Sequence, residues 1–372
     1  MPDLLEVHVF GGKIGESIAL KLPDDRWGVV DYYTPILGDP GSNPTLQFLR
    51  SKKVTRLEFV CLTHPHVDHF QGMSFLLETF PVRQFWIFGA MTHARLHNRV
   101  GMILRLKAES SNLNKADAEA TSELVEILDK VYQRAKQGSL RLIRLQLEQH
   151  LMTLPTNPAL TITALGASGR STTMYEDSLD ACFDHDDEGK VLVAKVRNVN
   201  HNQISGGLLI EYGQSRIILG GDIEKAGWRE AMRCFESQNR LASTLVKVSH
   251  HGSANGYCRG LWGVLSPNKS AHAVVTAYTM QRLPSKKGLS HIRKHAKAVT
   301  TTSKTAVALA TGRIRKFARS TFGVTSANAL LALQNRFPVA HEPSDLLLGR
   351  CSLRFNNDGT FTTETDGEAG RI

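Results

Sequence analysis

Residues 57–72 restrict this chain more than any other stretch. The apolar run Leu57-Glu58-Phe59-Val60-Cys61-Leu62 reads as a strand buried on both faces, and it ends on Thr63-His64-Pro65-His66-Val67-Asp68-His69-Phe70-Gln71-Gly72. Three imidazoles and one carboxylate fall within six residues there. On an extended segment, residues two apart project to the same side, so His64 and His66 can grip one ion. Asp68 and His69, just beyond, can turn toward a second. Imidazole and carboxylate donors together suit Zn, Mn or Fe better than Ca or Mg.

Two later segments have the form to supply further donors. Leu219-Gly220-Gly221-Asp222 sets a carboxylate just after an apolar strand, where glycines permit a tight turn and the carboxylate can bridge two ions. In isolation Asp222 would read as a helix cap. Val248-Ser249-His250-His251-Gly252-Ser253 repeats the order of strand, histidine, glycine. One of its two histidines is expected to bind metal and the other to orient or protonate, with His250 preferred as the ligand. His8, His93, His97, His150 and His341 lack partner spacing and read as surface or satisfied core residues.

The rest of the chain supports a layered α/β domain. Its 372 residues allow about two domains or one large one, and 41% hydrophobic with 22% charged residues is an ordinary globular mix. Strand-like segments recur at 5–10, 17–22, 27–31, 140–147, 160–165, 207–212, 216–219, 245–248 and 273–275, and a hairpin around Asp358-Gly359 spans 352–363. Leu124, Ile127, Leu128, Val131 and Tyr132 recur at helical spacing, so about 92–138 is expected to be a helical insertion. Strands at both ends with helices between them imply α/β layers. No run approaches the roughly 18 apolar residues of a membrane span. The start shows no secretory signal, and five cysteines without a C-x-x-C pair fit a reducing, cytoplasmic setting.

Charge is unevenly placed. Residues 237–341 carry 16 Lys and Arg and no acid, so a net charge of +10 divides into +16 there and −6 elsewhere. The densest part holds Lys286, Lys287, Arg293, Lys294, Lys297, Arg313, Arg315 and Lys316. Such a block suits a phosphate backbone, and nucleic acid or another polyanion is the expected partner. Aromatic residues are sparse within it, which excludes a stacking platform for single strands. A helix is expected at Ser326–Gln334.

Thr63–Gly72 matches in full the T-H-x-H-x-D-H-x-x-G signature of the metallo-β-lactamase fold superfamily, which the chain resembles. Asn202-Gln203-Ile204-Ser205, Gly221-Asp222-Ile223-Glu224 and His250-His251-Gly252-Ser253 look most like the hydrolase domain of DNA-uptake competence (ComEC-type) proteins. The resemblance covers 5–275 and the C-terminal hairpin. It implies a four-layer αββα sandwich with two metals, Zn or Mn, at one edge. Carried over, His64, His66 and Asp222 would hold the first ion, and Asp68, His69, Asp222 and His250 the second. His201, 21 residues before Asp222, could add a ligand; the competence branch tends to have Asn there, and Asn200 and Asn202 flank it. Asp68 would orient the attacking hydroxide and His251 protonate a leaving group. The expected organisation is a hydrolase core over 1–275 and a basic extension with its closing hairpin over 276–372. The expected activity is that of a metal-dependent phosphodiesterase or nuclease. The alternatives are a hydrolase of a small ester, lactone, thioester or cyclic nucleotide, and a metal-stabilised binding subunit without catalysis.

Overall fold

The structure is a computed structural model that describes residues 4–36, 39–89, 115–156, 158–182, 184–185, 191–192, 199–235, 239–312 and 348–372. The first part of the expected helical insertion, the expected helix Ser326–Gln334, and Arg313, Arg315 and Lys316 lie outside these residues.

Two large sheets dominate. The first is built from β1 (Leu5–Gly11), β2 (Glu16–Leu22), β3 (Arg26–Val30), β4 (Leu57–Leu62), β5 (Val82–Ile87) and β6 (Arg141–Arg144), with two late strands on its edge. The second begins with β7 (His150–Leu154) and β8 (Leu160–Ala164). After the small pair β9 (Asp184–His185) and β10 (Val191–Leu192) it continues with β11 (Leu208–Tyr212), β12 (Ser215–Leu219), β13 (Leu245–Lys247), β14 (His272–Val275) and β15 (Ala298–Thr301). The closing segment gives β16 (Gly349–Phe355) and β17 (Phe361–Gly367) to the first sheet and β18 (Gly370–Arg371) to the second. Strand orders are β17-β16-β1-β2-β3-β4-β5-β6 and β18-β15-β14-β13-β12-β11-β8-β7. In each, the strands that lead to the histidine and aspartate motifs sit in the parallel part, β3 to β6 and β12 to β15.

Three apolar cores make four layers. Between the sheets, Leu5, Val7 and Val9 of β1, whose alternation put them on one face, meet Ile162, Leu208 and Ile210 from across. The outer face of the first sheet is covered by α1 (Pro44–Ser51), α3 (Met73–Thr79) and α4 (Lys115–Lys136), through Leu46, Leu49, Met73, Leu76, Ile127 and Val131. The outer face of the second is covered by α6 (Lys225–Phe235), α7 (Leu261–Leu265), α8 (Lys286–His295) and α9 (Lys304–Ala310). The remaining helices are the short α2 (Val67–Phe70) and α5 (Gly169–Asp180). This is the αββα sandwich the resemblance implied. Phe59 stacks on Trp86 with centroids 3.8 Å apart, and a Cβ at Gly28 would lie 2.3 Å from the Phe59 ring, so glycine makes room for that stack.

Residues 276–312 do not stand apart from this sandwich. They supply β15 to the second sheet and α8 and α9 to its outer layer. Ser285 caps α8 by accepting the Gly288 amide at 3.0 Å. A Cβ on Gly288 would fall 1.9 Å from the Gly252 carbonyl oxygen, so a glycine lets this basic helix lie directly on the His250–His251 turn. No helix among the described residues is long and apolar enough to cross a membrane.

Candidate metal centre

Three strand ends meet at one edge of the sandwich. The chain after β4 brings His64, His66, Asp68 and His69, the turn after β12 brings Asp222, and the turn after β13 brings His250 and His251. The turns are tied together: Gly206 donates its amide to the Thr63 carbonyl at 2.9 Å, and His250 donates to the Gly221 carbonyl at 3.0 Å. His250 and His251 both take left-handed backbone conformations, with φ of 49° and 50°. Such conformations cost about 1–2 kcal/mol each for side chains of this kind, and they aim two consecutive rings into one site.

The two carboxylate oxygens of Asp222 divide the donors. On one side Oδ2 lies 3.7 Å from His64 Nε2 and 3.9 Å from His250 Nε2, and His66 Nδ1 is 3.0 Å from His64 Nε2. On the other side Oδ1 lies 3.5 Å from His69 Nε2 and 3.9 Å from His251 Nε2. Asp68 Oδ2 stands 3.6 Å from His69 Nε2 and 3.2 Å from His251 Nε2. One ligand atom from each of His64, His69 and Asp222 falls within 4.8 Å of the others, and the same holds for Asp68, His69 and His251.

An outer set of groups fixes the rings. His69 Nδ1 is 2.7 Å from Asp31 Oδ2, and Asp31 also accepts from the Thr63 amide and hydroxyl. His64 Nδ1 is 3.0 Å from the Thr63 hydroxyl, and His251 Nδ1 is 3.0 Å from the Thr276 hydroxyl. Thr276 donates to Glu16 at 2.5 Å, and Glu16 is paired with Lys247; both side chains are buried. Each of the three rings therefore presents Nε2 inward, as ligating histidines do when an outer acceptor or hydroxyl holds Nδ1. Glu16, Asp31 and His69 also cluster, but His69 Nδ1 is already engaged by Asp31, so that group is the support of the site.

Electrostatics match a cation. His69 is buried, which lowers its pKa, but the carboxylates of Asp31, Asp68 and Asp222 outweigh that and raise it to about 10. Burial pushes Asp68 and Asp222 up, yet the surrounding imidazoles hold both below the ordinary carboxylate range. His64, enclosed and beside His69 and His66, is held well below the usual imidazole value. Among the described residues, His69 Nε2 and Asp222 Oδ1 are buried with no hydrogen-bond partner. Unpaired buried polar atoms of this kind are costly, and a divalent ion between them would satisfy both. The donor set of imidazoles and carboxylates thus fits a divalent metal.

The geometry differs from the sequence reading at the histidine pair. His251, not His250, joins Asp68 and His69, while His250 stands with His64 on the other side of Asp222. Chain order could not distinguish them; two successive left-handed residues exchange the expected sides. His251 is also enclosed, with one nitrogen on Thr276 and the other on Asp68. His201 Nδ1 is 2.8 Å from the Tyr175 hydroxyl, and its ring centroid is 5.4 Å from that of His66. Asn202, two residues before Ile204, is the neighbour that reaches His250, with Nδ2 3.3 Å from His250 Nε2. Glu16, Asp31, Lys247, Thr276 and Tyr278 were not anticipated. Tyr278 lies beside His251 at 5.5 Å between centroids, and burial with the charges of Asp68 and Asp222 pushes its phenol up to about 12.

Of the expected polyanion contacts, Lys286, Lys287, Lys294 and Lys297 are exposed on or just after α8, and Arg293 is half-buried. Lys247, which contributed to the basic count, is enclosed on Glu16 and presents no charge to solvent.

Residues 34–96 match the family model of the metallo-beta-lactamase superfamily, a stretch that contains Thr63–Gly72. No curated protein matches the chain. Among solved structures, zinc-bound PqqB from Methylobacterium extorquens aligns at 13% identity over 71% of this chain, with a TM-score of 0.31. The alignment spans 62% of the PqqB chain.

Proposed function

We propose that this chain is a metal-dependent hydrolase of the metallo-β-lactamase superfamily, and that it acts as a phosphodiesterase on nucleic acid. The observation that carries the reading is the donor cluster around Asp222, whose Oδ2 is near His64 and His250 and Oδ1 near His69 and His251, with His66 against His64, Asp68 against His69 and His251, and His64 and His69 close to each other. Two ions, Zn or Mn, would be held by His64, His66, His250 and Asp222 and by Asp68, His69, His251 and Asp222. A purely structural zinc site is closed around one ion and has no use for a second donor set. The competence-type motifs around Asn202, Asp222 and His250 agree with this reading.

Divalent ions bound there supply Lewis acidity, which polarises a phosphoryl oxygen and lowers the pKa of water. The chain's own residues do the rest. Asp68, held by His251, sits where it can accept a hydrogen bond from an attacking water and fix its direction. Asp31 keeps His69 in the tautomer that presents Nε2 inward. The exposed lysines of α8, which packs on the histidine turn, set positive charge next to the site.

The test is cleavage of single- and double-stranded DNA and RNA by purified protein loaded with Zn or Mn, alongside Asp222→Asn and His69→Ala. Metal-dependent cleavage that both substitutions abolish is the expected result. Cleavage that survives them rejects this centre as its source. A second reading, hydrolysis of a small ester, lactone or cyclic nucleotide, draws support from the open cavity lined by Asn202 and Glu224 next to His250, and a panel of such substrates separates the two.

A further inference from the structure

A cavity of about 360 Å³ opens behind the centre, between the start of α5, the start of α6 and the turn His201–Ile204. It belongs to neither donor set, yet only one layer of side chains separates them. Asn202 lines it and reaches His250 Nε2 at 3.3 Å. Glu224 lines it as well, with Oε1 3.5 Å from His250 Nδ1, and Asn200 donates to Glu224 Oε2 at 3.1 Å. A ligand in this cavity therefore lies against the back of a ring that faces Asp222.

Its lining has two parts. Leu147, Leu165, Ala167 and Ile223 are apolar, and Met174 adds a thioether side chain that is 51% exposed. Arg170, Arg229 and Arg233, all exposed, supply the positive charge. None of the three has a carboxylate within ion-pair distance among the described residues. Glu230 of α6 lines the cavity as well, so three arginines face two carboxylates, and it accepts from the Ser171 hydroxyl at 3.2 Å, a bond that ties α5 to α6. Arg229 and Arg233 are one helical turn apart, and the Arg233 guanidinium donates to the Arg229 carbonyl at 3.2 Å. Like charges at that spacing repel, and an anion between them would relieve that repulsion.

We propose that this cavity binds an organic phosphate of about one nucleotide's size, its phosphate on Arg170, Arg229 and Arg233 and its heterocycle on the apolar floor. Guanidinium forks match phosphate oxygens in pairs, which point-charge lysines do not. The volume lies within the range of small-molecule sites, about 300–1,000 Å³. That the bound unit is part of the hydrolysed substrate rests on the phosphodiesterase reading; that the cavity binds such a molecule does not.

The experiment is calorimetric titration of the full-length protein with adenosine 5′-monophosphate, once after chelation and once metal-loaded, repeated with the Arg229→Ala, Arg233→Ala double variant and with Asp222→Asn. Saturable binding in the chelated protein, weakened at least about tenfold by the double variant and retained by Asp222→Asn, is expected. A double Arg→Lys variant that keeps the charge and recovers only part of the affinity would show that the guanidinium geometry matters. No saturable binding, or binding indifferent to the arginine substitutions, overturns the proposal. A short oligonucleotide that competes with the mononucleotide identifies the occupant as one unit of a strand; failure to compete identifies a free nucleotide. Arginine-dependent binding without any hydrolysis leaves the cavity standing and removes the phosphodiesterase reading. Hydrolysis with binding and KM indifferent to the arginines does the reverse.

Discussion

Lys247 and Glu16 offer the sharpest test of how this site is held together. Lys247 ends β13 in the second sheet and Glu16 begins β2 in the first, and their side chains are 0% and 1% exposed. The pair joins the two sheets directly behind His251, because Glu16 also accepts from Thr276, whose hydroxyl faces His251 Nδ1. Burial pushes the Glu16 carboxyl up, but Lys247, with His251 and His69, outweighs that and holds it below its ordinary value. In Lys247→Met the ammonium is lost and burial acts unopposed by it. Removing one partner of a buried pair costs about 3–5 kcal/mol, whereas replacing both partners by neutral groups of similar size is nearly neutral or stabilising. The single variant is therefore expected to lose about 3–5 kcal/mol in urea unfolding of chelated protein, and Lys247→Met with Glu16→Gln to recover most of it. Because Glu16 also fixes the His251 ring through Thr276, the single variant should lose about 10–100-fold in metal affinity, read by competition with a chromogenic chelator. A single variant within about 1 kcal/mol of the parent, or a double variant no better than the single, refutes the reasoning.

Metal content measured by atomic emission should separate the two histidines: His251→Ala loses the ion of the Asp68 set, His250→Ala loosens the other, and Asp222→Ala loses both. Gly288→Ala should reduce metal affinity more than helix propensity would suggest, because its Cβ would lie 1.9 Å from the Gly252 carbonyl and push the histidine turn; unchanged affinity would show that the turn is held from elsewhere. Glu6 is drawn down to about 2 by His8, whose Nε2 lies 3.1 Å from its carboxylate, against burial, and by Arg354. A carboxylate whose pKa is depressed on folding contributes stability above its unfolded value and loses it as pH falls through the folded one, here from about 4.5 toward about 2. Glu6→Gln should thus flatten the acid limb of the stability curve over that window, measured by thermal unfolding; an unchanged limb would sink this assignment.

The sequence was most informative where chemistry is dense and local. β4 showed as an unbroken apolar run, and the donors after it fall within six residues, so strand and site were legible together. Asp222 and the histidine pair followed from the same order of strand, turn and polar group. What could not be read was anything decided by backbone sign or by the other sheet. His250 and His251 are adjacent, and only their left-handed φ values determine which faces Asp68. Asp31 was visible as an acid at a strand end, but its bond to His69 depends on how β3 lies beside β4. Lys247 counted as one more charge in a basic segment because nothing local marks its partner, Glu16, on the opposite sheet. β5, with the sequence Val82-Arg83-Gln84-Phe85-Trp86-Ile87, mixes polar and apolar residues without a clean period, so its place in the parallel sheet was missed. The arginines of the cavity lie on two helices far apart in the chain, and neither helix alone suggests a ligand.

The order of the strands also says something about how such a chain comes off the ribosome. β1 pairs along its whole length with β16, Leu5 opposite Phe355 and Gly11 opposite Gly349, and β18 pairs with β15. His251, the last of the donors, is translated about a hundred residues before either partner strand exists. During that interval the metal site can assemble while β1 still shows an open edge with Val7 and Val9 behind it, the kind of edge that templates pairing between chains. The donors are thus made well before the strands that close this edge, and in that interval pairing between nascent chains along β1 is the hazard that late closure leaves open.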